Sequence, residues 1–202
     1  MKKTIFLSLI GLIFTANVGF AAPAVNLDEE QAAIGFTYSQ PSASISGSSW
    51  TTSDPDYSAS GFIVDRLDRN LSIVGERQED HWSNLSLNTN DVYGKFDVTK
   101  NIKVMAGYRW WSQDYDGYSS DDSSDGKFLY GVAFESRLGR NLTGYVNLKK
   151  ADSDTNIDVG VTYDMNENLA LNLSHRTYKV DLGSSMGEYK LKGLSMGLIC
   201  KL

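Results

Sequence analysis

The chain of 202 residues has one cysteine, Cys200, so no disulfide can form within it. That absence favours a fold held by backbone pairing over the disulfide-stapled small domains common among secreted proteins. There are two histidines and no Cys/His metal cluster, no phosphate-cradling glycine loop and no nucleophile elbow. Nothing implies a cofactor or a metal. A basic excess is missing too. The net charge is −6 and the pI about 4.9, which argues against nucleic acid as a partner. Beyond the N-terminus there is no apolar run of the ~20 residues that a spanning helix needs.

The N-terminus carries one shorter run. Lys2 and Lys3 precede an apolar stretch from Ile5 to Val18, and Gly19-Phe20-Ala21 offers small residues at −3 and −1. This pattern predicts a secretory signal peptide over 1–21, with Ala22-Pro23-Ala24 as a second cleavage site and an uncleaved anchor as the alternative. A short periplasmic lead follows over 22–31, and a single domain over 32–202.

Within that domain one unit recurs. Four times a short polar turn delivers an Asn followed by an aliphatic residue: Asn70-Leu71, Asn101-Ile102, Asn141-Leu142 and Asn168-Leu169. The Asn positions are 31, 40 and 27 residues apart (101 − 70, 141 − 101, 168 − 141). Apolar and polar residues alternate after each, as in a repeated β-hairpin. The flanks predict strands at 59–67, 71–78, 91–98, 102–113, 126–138, 142–150, 155–164 and 169–179, with 32–40 and 188–202 outside them. Ten is the expected strand number and eight the alternative, in an up-and-down meander. The opposite connections, 41–58, 79–90, 114–125, 151–154 and 180–187, are mostly longer and rich in Ser, Asp, Gly and Asn. Short turns at one end and longer loops at the other are the asymmetry of an all-β, closed antiparallel transmembrane barrel, with the short turns in the periplasm.

Alternation assigns the faces. Over 126–138, Phe128, Tyr130, Val132 and Phe134 oppose Leu129, Gly131, Ala133 and Glu135. A secreted β-sandwich could alternate in the same way, but the polar face is rich in Gly, Ala and Ser, which suits a crowded lumen. Tyr38, Trp50, Trp110, Trp111, Tyr163, Tyr178 and Tyr189 fall near strand ends, as interfacial aromatic belts do. At the C-terminus Ser195, Gly197, Cys200 and Leu202 occupy the named places of the terminal assembly signal of outer-membrane barrels, although the usual final aromatic is missing. Taken whole, the mature chain resembles the small bacterial outer-membrane β-barrel families, including opacity-type adhesins and porin-family barrels. The resemblance lies in architecture and the terminal motif. It implies location in the outer membrane of a diderm bacterium, with the membrane lipid and the barrel assembly machinery as partners. It carries over no functional residues.

The inward phase collects eleven charges: Glu76, Lys95, Asp97, Lys103, Arg109, Glu135, Arg137, Lys149, Asp158, Asp164 and Arg176. Six are basic and five acidic. In a narrow barrel side chains fill the interior, and buried ions must pair. The expectation is a salt-bridged plug, in which Arg109, Arg137 and Arg176 meet carboxylates such as Glu135, Asp158 and Asp164; a narrow charged pore is the alternative. His81-Trp82-Ser83-Asn84 has the residue types of the His-Ser pair in outer-membrane lipid A deacylases, but falls in an expected loop without an acidic partner set by spacing. Asp114, Asp116, Asp121, Asp122 and Asp125 give the loop over 114–125 the carboxylates of an omptin-type rim. A flexible Ser/Asp/Gly segment does not hold catalytic geometry. Its oxygens suit Ca²⁺ but lack the spacing of the helix-loop-helix calcium loop. The functional expectation is a non-enzymatic structural or surface-interaction role through the outer loops. A diffusion pore is second and an outer-membrane enzyme third.

Overall fold

A computed structural model describes residues 23–46, 54–82, 85–115, 126–181 and 188–202. The expected signal peptide, Trp50, Ser83, Asn84 and most of the acidic loop (116–125) lie outside the described residues. Among the described residues eleven strands form: β1 (Ala32–Ser39), β2 (Ser42–Ser46), β3 (Tyr57–Arg66), β4 (Leu71–Trp82), β5 (Leu85–Asp97), β6 (Ile102–Tyr115), β7 (Lys127–Arg137), β8 (Leu142–Ala151), β9 (Asp154–Asp164), β10 (Leu169–Asp181) and β11 (Glu188–Lys201).

Each strand from β3 to β11 pairs antiparallel with the next, and β1 closes the circle between β3 and β11. β1 and β2 lie on the same edge of β11, opposite 195–201 and 188–192. They are one wall interrupted at Gln40-Pro41, where proline has no N–H to give the ladder. Pro41 also lies against Gly193, where an added Cβ would come within 2.8 Å of the Pro41 Cα. The barrel therefore has ten walls, in meander order, as expected from the sequence. Following paired residues around it from Ala32 leads back to the same wall at Ser44, twelve positions on. Such a stagger tilts the strands by about 40° and leaves an interior that side chains can fill.

The four Asn turns have one construction. Residues 67–70, 98–101, 138–141 and 165–168 each close on an N–H to carbonyl bond, such as Val98 N–H to Ile102 O at 3.0 Å. In three of them a side chain caps the turn: Asp68, Thr99 and Asn166 each accept from the backbone N–H two residues on. The Asn carbonyl then reaches the next hairpin. Asn70, Asn101, Asn141 and Asn168 accept from the N–H of Asp97, Glu135, Asp164 and Lys201 at 2.7–2.8 Å. The repeat thus ties neighbouring hairpins together as well as turning the chain.

At the other end the strands run further than expected. β4 and β5 reach Trp82 and start at Leu85, so most of the expected loop 79–90 is strand. Part of 41–58 is likewise strand, as β2. Polar residues such as Glu79, Asp80, Asn88 and Asn90 hid this extension, because a strand end above a membrane needs no apolar face.

The outward faces follow the alternation. Ile102, Val104, Tyr108, Phe128, Tyr130, Val132, Phe134, Val146, Leu148, Ile157, Val159, Tyr163, Leu171 and Leu173 are exposed, in a belt over β6–β10. β11 and β1 continue it with Leu194, Met196, Leu198, Phe36 and Tyr38. On β3–β5 the outward positions are mixed: Ile63, Ile73, Val92 and Phe96 share the face with the small or polar Ala59, Gly61, Gly75, Arg77, Glu79, Asn88 and Asn90. Three aromatics expected in an interfacial belt take the inward phase instead: Tyr178 and Tyr189 are buried inside the barrel, and Trp111 follows the buried Arg109 by two residues. Their phase explains it, since Tyr178 follows the inward Arg176 by two residues. The C-terminal motif closes the wall. Gly197 lets β1 approach, because a Cβ there would lie 2.4 Å from the Phe36 carbonyl oxygen. Leu202 N–H donates to Ala32 O at 2.8 Å. Ser195 points inward and buried, and Cys200 outward and exposed.

Candidate functional site: a lumen bridged by charge

The lumen is layered from the Asn-turn end upward. At the rim an ion-pair chain runs Arg66–Asp97–Lys103–Glu135–Lys95, with N···O distances of 2.9, 3.1, 3.2 and 2.5 Å. Lys201 holds Asp164 beside it at 2.7 Å. Above the rim lies an apolar layer of Ala33, Phe62, Val64, Tyr93, Met105, Leu129, Ala133 and Ile199. The lead before β1 enters here. Val25 and Leu27 pack on this layer, and Asn26 donates to Thr143 Oγ1 at 3.0 Å. The lead is thus a stopper inserted from below, which composition alone did not reveal. A vestibule of about 890 Å³ surrounds its entry, lined by Asp28, Arg66, Lys100, Lys103, Arg137 and Glu167 among others.

The waist is the driest part. Arg109 on β6 grips Asp91 on β5 by two parallel bonds, Nε to Oδ1 and a terminal nitrogen to Oδ2, both 2.7 Å. Its side chain is 1% exposed. Lys149 reaches from β8 to donate to Asp91 Oδ2 at 3.0 Å and to Glu76 Oε2 on β4. β4 and β8 are four walls apart, so this ammonium spans the interior. Tyr93 O–H donates to Glu76 as well, and the Arg109 guanidinium lies 5.3 Å from the Tyr178 ring centroid. Beside the waist, Arg176 contacts Asp158 at 3.6 Å and donates to Gln78 Oε1 at 3.1 Å. The Gln78 amide in turn donates to both oxygens of the buried Asp80. Tyr178, Val180, Tyr189 and Leu191, with Trp82, form an apolar cap at the loop end.

Ten of the eleven expected lumen charges are buried or half-buried inside. Arg137 is exposed at the vestibule and, among the described residues, makes no ion pair. The expected partnerships need correction. Arg176 does meet Asp158, but Arg109 takes Asp91, Glu135 takes Lys95 and Lys103, and Asp164 takes Lys201. The partners that sequence reading missed were Asp91, Arg66 and Lys201. Asp91 had a readable signal, because it shares its phase with Lys95 and Asp97. Arg66 and Lys201 end their strands, where the phase is hardest to carry.

His81, expected in a solvated loop, stands in β4 on the outside of the barrel. Its Nδ1 is 2.8 Å from Ser86 Oγ, and its ring stacks on Tyr57 with centroids 4.9 Å apart. His175 is outward and exposed in mid-strand, paired in register with Leu194 and Val159.

No family model and no curated relative matches the chain. Solved structures do resemble it in fold. The outer membrane protease OMPT from Escherichia coli aligns with a TM-score of 0.56 at 11% identity, over 90% of this chain and 100% of that one. The Neisserial surface protein A aligns at 0.45 and 14% identity, over 85% and 97%. The KdgM porin, solved with disordered oligogalacturonate, aligns at 0.45 and 10%, over 83% and 98%. The fold is that of outer-membrane β-barrels.

Proposed function

We propose that this chain is an integral outer-membrane barrel with a closed lumen, serving a non-enzymatic structural or surface-interaction role through the loops opposite the Asn turns. The observation that carries the reading is the Lys149 bridge. A side chain that crosses from β8 to carboxylates on β4 and β5 fills the space a solute would need. The exposed apolar belt supports membrane insertion, since a contiguous apolar surface of this extent is a membrane or partner surface by default. The resemblance to OMPT, a protease, and to KdgM, a porin, rests on fold, and fold does not carry chemistry. A narrow diffusion pore is the second reading, favoured by the open vestibule at the Asn-turn end. The test is topology on intact cells, with assembly checked by a gel run with and without boiling. Added protease is expected to cut within 116–125 and to leave Asn101 and Asn141 protected. Cleavage at those two Asn turns, with 116–125 untouched, would put the loops inside and remove the surface role.

A further inference from the structure

The loop end of β8–β11 carries an outward cluster of lysines that the lumen account does not use. Lys179 and Lys190 stand directly opposite each other in register. Lys192 follows Lys190 on the same face of β11. Lys150 belongs to the same row, through Thr155. Like charges placed directly opposite on a sheet repel. Among the described residues one carboxylate answers them: Glu188 accepts from Lys179 Nζ at 2.8 Å. Glu188 also faces Lys190, and among the described residues Lys150, Lys190 and Lys192 form no ion pair. The outward positions toward the loop end of β3–β6 hold Tyr57, Arg77, Glu79, Asn88 and Trp110, a single cation beside a carboxylate, so the lysine cluster is one-sided.

Directly toward the middle of the barrel the surface changes character. Leu194 and Met196 on β11 are 66% and 69% exposed, and Leu173 and Val159 are exposed beside them. Acyl chains would lie on these residues, and the polar heads of the same lipids would lie level with the lysines. An ammonium on a long stem reaches headgroup phosphates while its methylenes stay in the apolar layer. Clusters of lysine at a membrane boundary attract anionic lipid.

We propose that Lys179, Lys190 and Lys192, with Lys150 beside them, form a docking surface for phosphate-bearing lipid headgroups at the loop end of the barrel. The phosphate adds negative charge where one carboxylate, Glu188, faces several lysines, and the apolar residues below hold the chains of the same molecule. This rests on the membrane reading above, so insertion is read separately, by protease protection of the strands in vesicles.

The experiment refolds the full chain into phosphatidylcholine vesicles containing a minor fraction of phosphatidic acid, then measures phosphatidic acid retained on the protein by native mass spectrometry. Three proteins are compared: the wild type, K179Q/K190Q/K192Q, and R69Q/K100Q/R140Q, which removes equal charge at the Asn turns. Retention is expected to fall at least about tenfold in the lysine variant and to hold in the turn variant. Equal retention in wild type and lysine variant would overturn the proposal. So would an equal loss in both variants, which would make the effect one of net charge. Displacement of the lipid by millimolar inorganic phosphate would also overturn it, because the surface would then recognise the ion and not the lipid.

Discussion

The rim and the waist of the lumen hold the same kinds of side chain and use them differently. At the rim, Asp97 and Glu135 each take two cations in a chain along the wall, next to the vestibule, and the side chains of Arg66 and Asp97 keep 16% exposure. At the waist, Asp91 takes Arg109 in a two-bond grip and Lys149 from across the barrel, with water excluded. Water at the rim can replace a lost partner; at the waist nothing can. The difference locates the part of the lumen that determines whether the barrel is open. It also separates residues that orient the wall from residues that fix its diameter.

The largest expected effect follows from that contrast. Arg109→Ala leaves Asp91 buried with one partner, and should cost about 3–5 kcal/mol in urea unfolding from vesicles. Replacing both members together, with Arg109→Met and Asp91→Leu, should recover most of that loss, because no charge is then left without its counter-ion. A double variant as unstable as the single one would show that the grip acts by shape. Next comes the opposite face at similar depth. Val132 is 42% exposed and Ala133 fully buried, so Val132→Arg should cost about 2–4 kcal/mol by entering lipid. Ala133→Arg should fail through crowding instead, and a denaturation series with Ala133→Ser, which adds little volume, should leave stability near the wild type. At the rim, Asp97→Asn should cost about 1–2 kcal/mol, and the loss should shrink as salt screens the partially wet pairs. A loss at Asp97 equal to that at Arg109 would erase the distinction between the two layers. The smallest effect belongs to Asn101→Ala. Its side-chain amide donates to Glu135 O at 2.7 Å, while its backbone carbonyl keeps its own bond to the next hairpin. About 0.5–1 kcal/mol is expected.

The Asn-turn end was legible in the sequence because each turn repeats an apolar strand end and an Asn, and three of the four add a capping side chain. The loop end was less so. Strands β4 and β5 continue past the apolar belt, where alternation of hydrophobicity stops and only backbone pairing persists. Phase carried further than expected for single residues. Tyr178 and Tyr189 belonged to the lumen by parity, and Asp91 belonged beside Lys95. Pairing partners were harder to read. Which carboxylate meets Arg109 depends on stagger around the barrel, and a twelve-position stagger is a property of all ten walls together. The inserted lead could not be inferred from Val25 and Leu27 alone, because two apolar residues in a polar segment have no period.

Ion conductance of the full barrel in a planar bilayer tests the closed lumen most directly. With Lys149 bridging Glu76 and Asp91 across the waist, the wild-type protein should show no sustained conductance at neutral pH, while Lys149→Ala should admit small, cation-favouring openings past Glu76, with Asp91 still held by Arg109. A steady ohmic conductance in the wild type, unchanged by Lys149→Ala, would contradict the account.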